Sequence, residues 1–182
     1  MRNFIGKNSF VWFIGVVEDR NDPIQLGRVR VRCYGWHTDD KAQIPTESLP
    51  WATPMQDVTS AAISGVGRSP TGIVEGTWVV GFFLDGELAQ EPVIIGTMAG
   101  APSSFGNPTV GFNDPNPRAD DETKSVYPRY LDESDVNVRA RGANTSSRVI
   151  DEVIEEPADP YNAQYPLNHV YESESGHLIE ID

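Results

Sequence analysis

The sequence predicts an all-β protein whose N-terminal part closes into a small five-stranded barrel. Two observations predict it: apolar residues in the first hundred positions recur with period two rather than 3.6, and turn-forming residues break them into short runs. A third is the long connection before the fourth run, which suits a closed barrel better than an open sheet with unprotected edges.

The first run, Phe10 to Asp19, sets Phe10, Trp12, Ile14 and Val16 on one face, while Val11, Phe13 and Val17 make the opposite face apolar as well. A strand covered on both sides is expected. After the turn Asn21-Asp22-Pro23, the run Leu26 to Tyr34 alternates Val29, Val31 and Cys33 with Arg28, Arg30 and Arg32, which predicts a core face and an exterior face bearing three guanidinium groups. Trp51 to Gln56 supplies the third strand, with Pro54 at an edge or a bend. Asp57 to Gly76 is rich in Ser, Thr and Gly and predicts a long loop with a contact to make. Thr77 to Leu84 and Pro92 to Met98, joined through Asp85-Gly86, complete the five.

Beyond Gly100 the composition changes. Pro102, Pro108, Pro115, Pro117, Pro128, Pro157, Pro160 and Pro166 are scattered among Asn, Asp, Ser and Gly, so Ala101 to Pro166 is expected to be an extended arm laid over other subunits, its order supplied by partners. Asn168 to Asp182 regains strand character: after Ser175-Gly176, the residues His177, Ile179 and Ile181 alternate with Leu178, Glu180 and Asp182. Its apolar face has nothing of its own to cover it, which calls for neighbouring copies or further chain. The predicted organisation is therefore a barrel over residues 1–100, an arm over 101–166 and an inter-chain β segment over 167–182.

The charge balance narrows the function. Fourteen Lys and Arg face 27 Asp and Glu, for a net charge of −13. Residues 1–100 hold 8 basic and 11 acidic side chains, and residues 101–182 hold 6 and 16, so the acidity lies mainly in the second part. Such a chain repels phosphate backbones, and no nucleic-acid partner is expected. With the single cysteine Cys33 no intrachain disulfide can form, which fits assembly in a reducing cytoplasm. No apolar stretch approaches the roughly 20 residues of a bilayer span, so neither signal peptide nor membrane anchor is expected.

Particular runs carry a resemblance. Gln25-Leu26-Gly27-Arg28-Val29-Arg30-Val31-Arg32, Gly65 to Gly72 followed by Glu75-Gly76-Thr77-Trp78-Val79, Phe82-Phe83-Leu84-Asp85-Gly86 and Pro92-Val93-Ile94-Ile95-Gly96 closely resemble the N-terminal barrel of the baseplate central spike proteins (tail-associated lysozymes) of contractile-tailed phages. The run Asn168 to Asp182 resembles the start of that family's intertwined three-chain β-helix needle. Valine-glycine-repeat spikes of type VI secretion share the architecture. The resemblance implies an oligonucleotide/oligosaccharide-binding (OB) type barrel and a homotrimer docked on a trimeric hub below the tail tube. It also implies a needle that crosses the host outer membrane on contraction, with a spike-tip protein as a further partner, and a place in the tail baseplate of the virion.

The residues expected at the trimer or needle interface are His169, Tyr171, His177, Ile179 and Ile181. Those expected to meet the hub or a neighbouring subunit are Arg28, Arg30, Arg32 and Arg68. No cofactor, metal or catalytic residue is expected. Where the best-known members carry a lysozyme domain, this chain has only its Pro-rich arm. A muramidase needs a general acid held protonated in a poorly solvated cleft, and Asp120, Asp121, Glu122, Asp132, Glu133 and Asp135 have no apolar pocket around them in the sequence.

Other chemistries compete with this reading. Peptidoglycan hydrolysis is one alternative. Single-strand binding is another: Arg28, Arg30 and Arg32 with Trp12, Trp36 and Trp78 could supply phosphate contacts and stacking, but exterior arginines pairing with acidic groups of a neighbouring subunit suit the composition better. Cys33 and His37 could give two zinc ligands where structural zinc takes four, and His169 and His177 could gather around a threefold axis. Gly65 to Gly72 lacks the Lys of a phosphate loop and opens no helix.

Overall fold

The computed structural model describes residues 10–61, 66–99, 106–116, 140, 164–173 and 177–181. They fall into two units, one comprising residues 1–98 with 105–117 and the other residues 99–104 with 118–182.

The first unit is a closed barrel of five strands: β1 (Trp12–Asp19), β2 (Val29–Cys33), β3 (Trp51–Pro54), β4 (Trp78–Phe83) and β5 (Pro92–Met98). Neighbours run in the order β1-β2-β3-β5-β4, antiparallel except for the parallel pair β3–β5, which is the OB arrangement. Period-two alternation sets the register. Gly15 pairs with Cys33 and Val17 with Val31 across β1–β2, and Trp12 with Phe82 and Val16 with Trp78 across β1–β4. Each strand thereby sends alternate side chains inward, and Phe13, Val17, Val29, Val31, Cys33, Ala52, Val79, Phe83, Ala89 and Ile94 form the core.

Two breaks in the ladder bend the sheet, one between Val17 and Asp19 against β2 and one between Val80 and Gly81 against β5. Gly81 is needed where it stands: a Cβ there would come within 2.1 Å of the Val93 carbonyl oxygen and 2.6 Å of Cζ of the core residue Phe13. Pro54 ends β3 and Pro92 begins β5, positions where a missing N–H costs no ladder bond.

Residues 106–116, within the stretch expected to form an arm, pack on this chain's own barrel. Gly111 N–H donates to the carbonyl of Asp39 at 2.8 Å, Lys41 Nζ donates to Pro108 O at 2.8 Å, and the Phe112 ring lies 4.7 Å from Tyr34. The remainder of the expected arm lies outside the described residues, apart from Ala140 and residues 164–166.

In the second unit β6 (His169–Glu172) and β7 (Leu178–Ile181) form an antiparallel pair. Ser173 N–H donates to His177 O at 2.8 Å and His177 N–H to Ser173 Oγ at 3.2 Å, closing the ladder at the turn.

Candidate functional site

The arginine-bearing face of β2 was the first candidate surface. The three guanidinium groups do point away from the core, but each is engaged within the chain. Arg28 donates to both carboxylate oxygens of Asp22, from Nε to Oδ2 at 3.1 Å and from Nη2 to Oδ1 at 2.7 Å. The same carboxylate accepts the backbone N–H groups of Ile24, Leu26 and Arg28, so one buried Asp organises the β1–β2 turn. Arg28's hydrogen bonds, together with those of the backbone, hold the Asp22 carboxyl far below its ordinary range against the opposing push of burial.

Arg30 lies over the Trp51 ring, 4.4 Å from its centroid, and donates to the carbonyls of Glu47 and Leu49. Arg32 corrects the exterior reading outright, for it has no exposed surface. Its Nε donates to Glu18 Oε1 at 2.6 Å and its Nη2 to Glu18 Oε2 at 3.1 Å. Nη1 and Nη2 also donate, at 2.7 Å each, to the carbonyls of Thr38 and Ile44. Thr46 Oγ1 donates to Glu18 Oε2 at 2.7 Å and completes the network.

Burial drives the Glu18 carboxyl upward, yet the hydrogen bonds from Arg32 and Thr46 and the neighbouring positive charge outweigh it and the net shift is downward. Arg32 is therefore a buried clamp on the segment from Thr38 to Thr46 and unfit to touch another molecule. Arg68 alone of the four stands well out, its side chain 82% exposed and paired at 3.2 Å with Asp57.

Cys33 and His37 are each engaged within the fold. The thiol is buried in the core, where desolvation pushes its pKa up to about 12, and its Sγ donates to Val31 O at 3.7 Å. His37 Nδ1 instead accepts the backbone N–H of Cys33 at 2.8 Å, which stitches the turn after β2. Among the described residues no group of three or more His, Cys, Asp or Glu could hold a metal ion.

The β6–β7 pair brings the C-terminal candidates together. His169 pairs with Ile181 and Tyr171 with Ile179, so these four share one face, while Val170, Glu172, Leu178 and Glu180 share the other. Tyr171 is 63%, Ile179 65% and Ile181 55% exposed, an apolar face without cover in the isolated chain. His177 precedes β7 with the same parity and closes the turn onto Ser173. Asn168, buried at the base of the pair, donates from Nδ2 to Glu180 Oε1 at 2.7 Å. Sequence reasoning missed Glu18, Asp22 and Thr46 as organisers. Only Asp22 carried a signal, its place before Pro23 in a turn.

The described residues define a small closed barrel of the OB type, followed in sequence by an antiparallel β pair. Comparison with known proteins places it more narrowly. The model of the Gp5 N-terminal OB domain family matches residues 35–174, and the chain belongs to that family. It is 41% identical over 219 aligned residues to protein Gp5 of Vibrio phage KVP40, covering 98% of this chain and 52% of that protein. It is 45% identical over 152 residues to the pre-baseplate central spike protein Gp5 of Enterobacteria phage T4, covering 79% of this chain and 25% of that protein. The chain thus spans about half or less of the length of the curated relatives it matches.

Proposed function

We propose that this protein is a non-enzymatic component of a contractile phage tail baseplate, the central spike element that joins a cell-puncturing needle to a trimeric hub below the tail tube. Membership of the Gp5 OB family and the spike-protein name of the T4 relative support the baseplate role. The observation that carries the assembly is the uncovered face of Tyr171, Ile179 and Ile181. Burying it between three copies removes apolar surface from water at about 25 cal/mol per Å² and pairs the free strand edges of β6 and β7 with those of sister chains, beginning a stiff trimeric β-helix. His169 and His177 lie within that segment. Assembly in the host cytoplasm accords with a lone, buried thiol.

In this reading the spike acts mechanically, driven through the outer membrane by sheath contraction, and carries a tip protein at its far end. Arg68, with Arg28 and Arg30 at its side of the barrel wall, is offered to the hub or a neighbouring subunit. Decoration of intact virions with antibody raised against the barrel tests the proposal. Label at the baseplate is expected, with no clearing of peptidoglycan suspensions and no salt-sensitive binding of labelled oligonucleotide by the pure chain. Label confined to another part of the virion overturns the placement, and clearing activity overturns the non-enzymatic role.

A further inference from the structure

Residues 106–116 are held in shape by their own side chains. Asn107 Oδ1 accepts the N–H and the hydroxyl of Thr109, at 3.0 and 2.8 Å, and Val110 N–H donates to Asn107 O at 3.3 Å. Asn113 Oδ1 accepts the Asn107 N–H at 3.2 Å and its Nδ2 donates to Gly111 O at 3.0 Å, which ties the start of the segment to its end. Asp114 Oδ1 accepts the Asn116 N–H at 2.9 Å. A short polar segment that satisfies its own backbone in this way keeps one conformation and gives up little freedom on docking.

Three contacts fasten that conformation to the barrel, and two of them leave no room for a side chain. Gly111 lies on the buried Arg32: a Cβ there would fall 2.4 Å from Arg32 Cδ, and the Gly111 N–H donates to Asp39 O at 2.8 Å. Gly76, at φ +81° and bonded through its N–H to Val17 O at 2.8 Å, makes way for Asp114, whose Cγ is 2.7 Å from where a Cβ would stand. Asp114 is 4% exposed. Between these two points the Phe112 ring lies 4.7 Å from Tyr34, and Phe112 keeps a left-handed φ of +61° that a free aromatic residue avoids. Val16 pairs with both Arg32 and Trp78 and faces outward by alternation, yet it is 1% exposed. The barrel wall is therefore finished at this place by chain from outside its five strands.

We infer that residues 106–116 are a clasp, which holds the C-terminal part of the chain on the barrel by its own contacts and independently of the covalent route through β5. That covalent route leaves the barrel at Met98, the end of β5, where Met98 pairs with Trp78. Tension on the chain beyond residue 116, with no clasp, would draw on this terminal pair and open the β4–β5 ladder one pair at a time from its end. With the clasp, tension enters at Arg32 and Gly76, where a backbone hydrogen bond, a packed ring and two close-fitting glycine contacts give way together. Such tension belongs to the spike reading above, on which this consequence rests, whereas the contacts of the clasp stand without it.

The test uses the full-length chain with a protease recognition site inserted between Ser103 and Ser104 and cut after folding. The pieces on either side of the cut are expected to migrate together in native size-exclusion chromatography and to part only in denaturant. Phe112→Gly removes the ring and suits the left-handed backbone, and it is expected to make separation roughly tenfold faster, since losses at an interface show mainly in the off-rate. Ile179→Asp, in the hairpin, is expected to leave retention unchanged. Pieces that part as soon as the chain is cut overturn the clasp. Retention that Phe112→Gly does not weaken, or that Ile179→Asp abolishes, overturns it as well. A cut particle of monomer mass that keeps both pieces removes the trimeric reading and leaves the clasp standing.

Discussion

Around Arg32 every hydrogen bond serves the fold. A guanidinium and a carboxylate taken fully out of water are tolerable only because Glu18, Thr38, Ile44 and Thr46 saturate them, and removing one partner strands the other. Arg32→Ala is expected to destabilise the barrel by about 3–5 kcal/mol in urea unfolding, whereas Arg68→Ala, at an exposed pair, changes it by less than about 1 kcal/mol.

His37 gives the fold a pH dependence. Desolvation first, and then the Arg32 charge, hold its pKa below the ordinary 6.5, so the unfolded chain binds more protons than the folded one between the two values. Its contribution is complete above 6.5 and is lost as pH falls toward the folded value. Unfolding midpoints measured from pH 7.5 down to 5 are expected to decline, and His37→Gln is expected to flatten that decline. The buried Cys33 thiol, pushed up to about 12, is expected to resist thiol reagents in the native state and to react fully in denaturant.

At the scale of elements, close approach decides what can be changed. Gly81 admits the Val93 carbonyl and the Phe13 ring, and Gly81→Ala is expected to cost about 1–3 kcal/mol or more in thermal or chemical unfolding through overpacking. In the hairpin, Ile179→Asp is expected to convert the assembled particle to monomers while the near-ultraviolet signal of the barrel persists, as sedimentation would show.

These elements were legible to different degrees. All five barrel strands could be read because β-branched and aromatic residues alternate in short runs bounded by Asn-Asp-Pro, Asp-Gly and Pro. The observed strands fall within the expected ranges. Alternation also told which β2 side chains leave the core, but leaving the core is not reaching solvent. The fate of Arg32 depends on the segment from Thr38 to Thr46 folding over it and on Gly111 from far along the chain, whose Cβ position would fall 2.5 Å from Arg32 Nε. No local period encodes such tertiary cover. The same cause hid the docking of residues 106–116, since their turns of Asn, Pro and Gly read as linker wherever they lie.

Across the whole molecule, charge and burial divide the labour. The barrel is a self-sufficient core held by packing and by saturated ion pairs. The C-terminal hairpin leaves Tyr171, Ile179 and Ile181 in water, a cost that the proposed association with like chains would relieve. The acidic excess of residues 101–182 disfavours contact with the phosphates of nucleic acid.

The most direct test is the native mass of the purified full-length chain in solution, by sedimentation equilibrium or native mass spectrometry. Three times the 20.1 kDa chain mass is the expected result. A stable 20.1 kDa particle, folded through Ile181, would contradict the assembly on which the spike role depends.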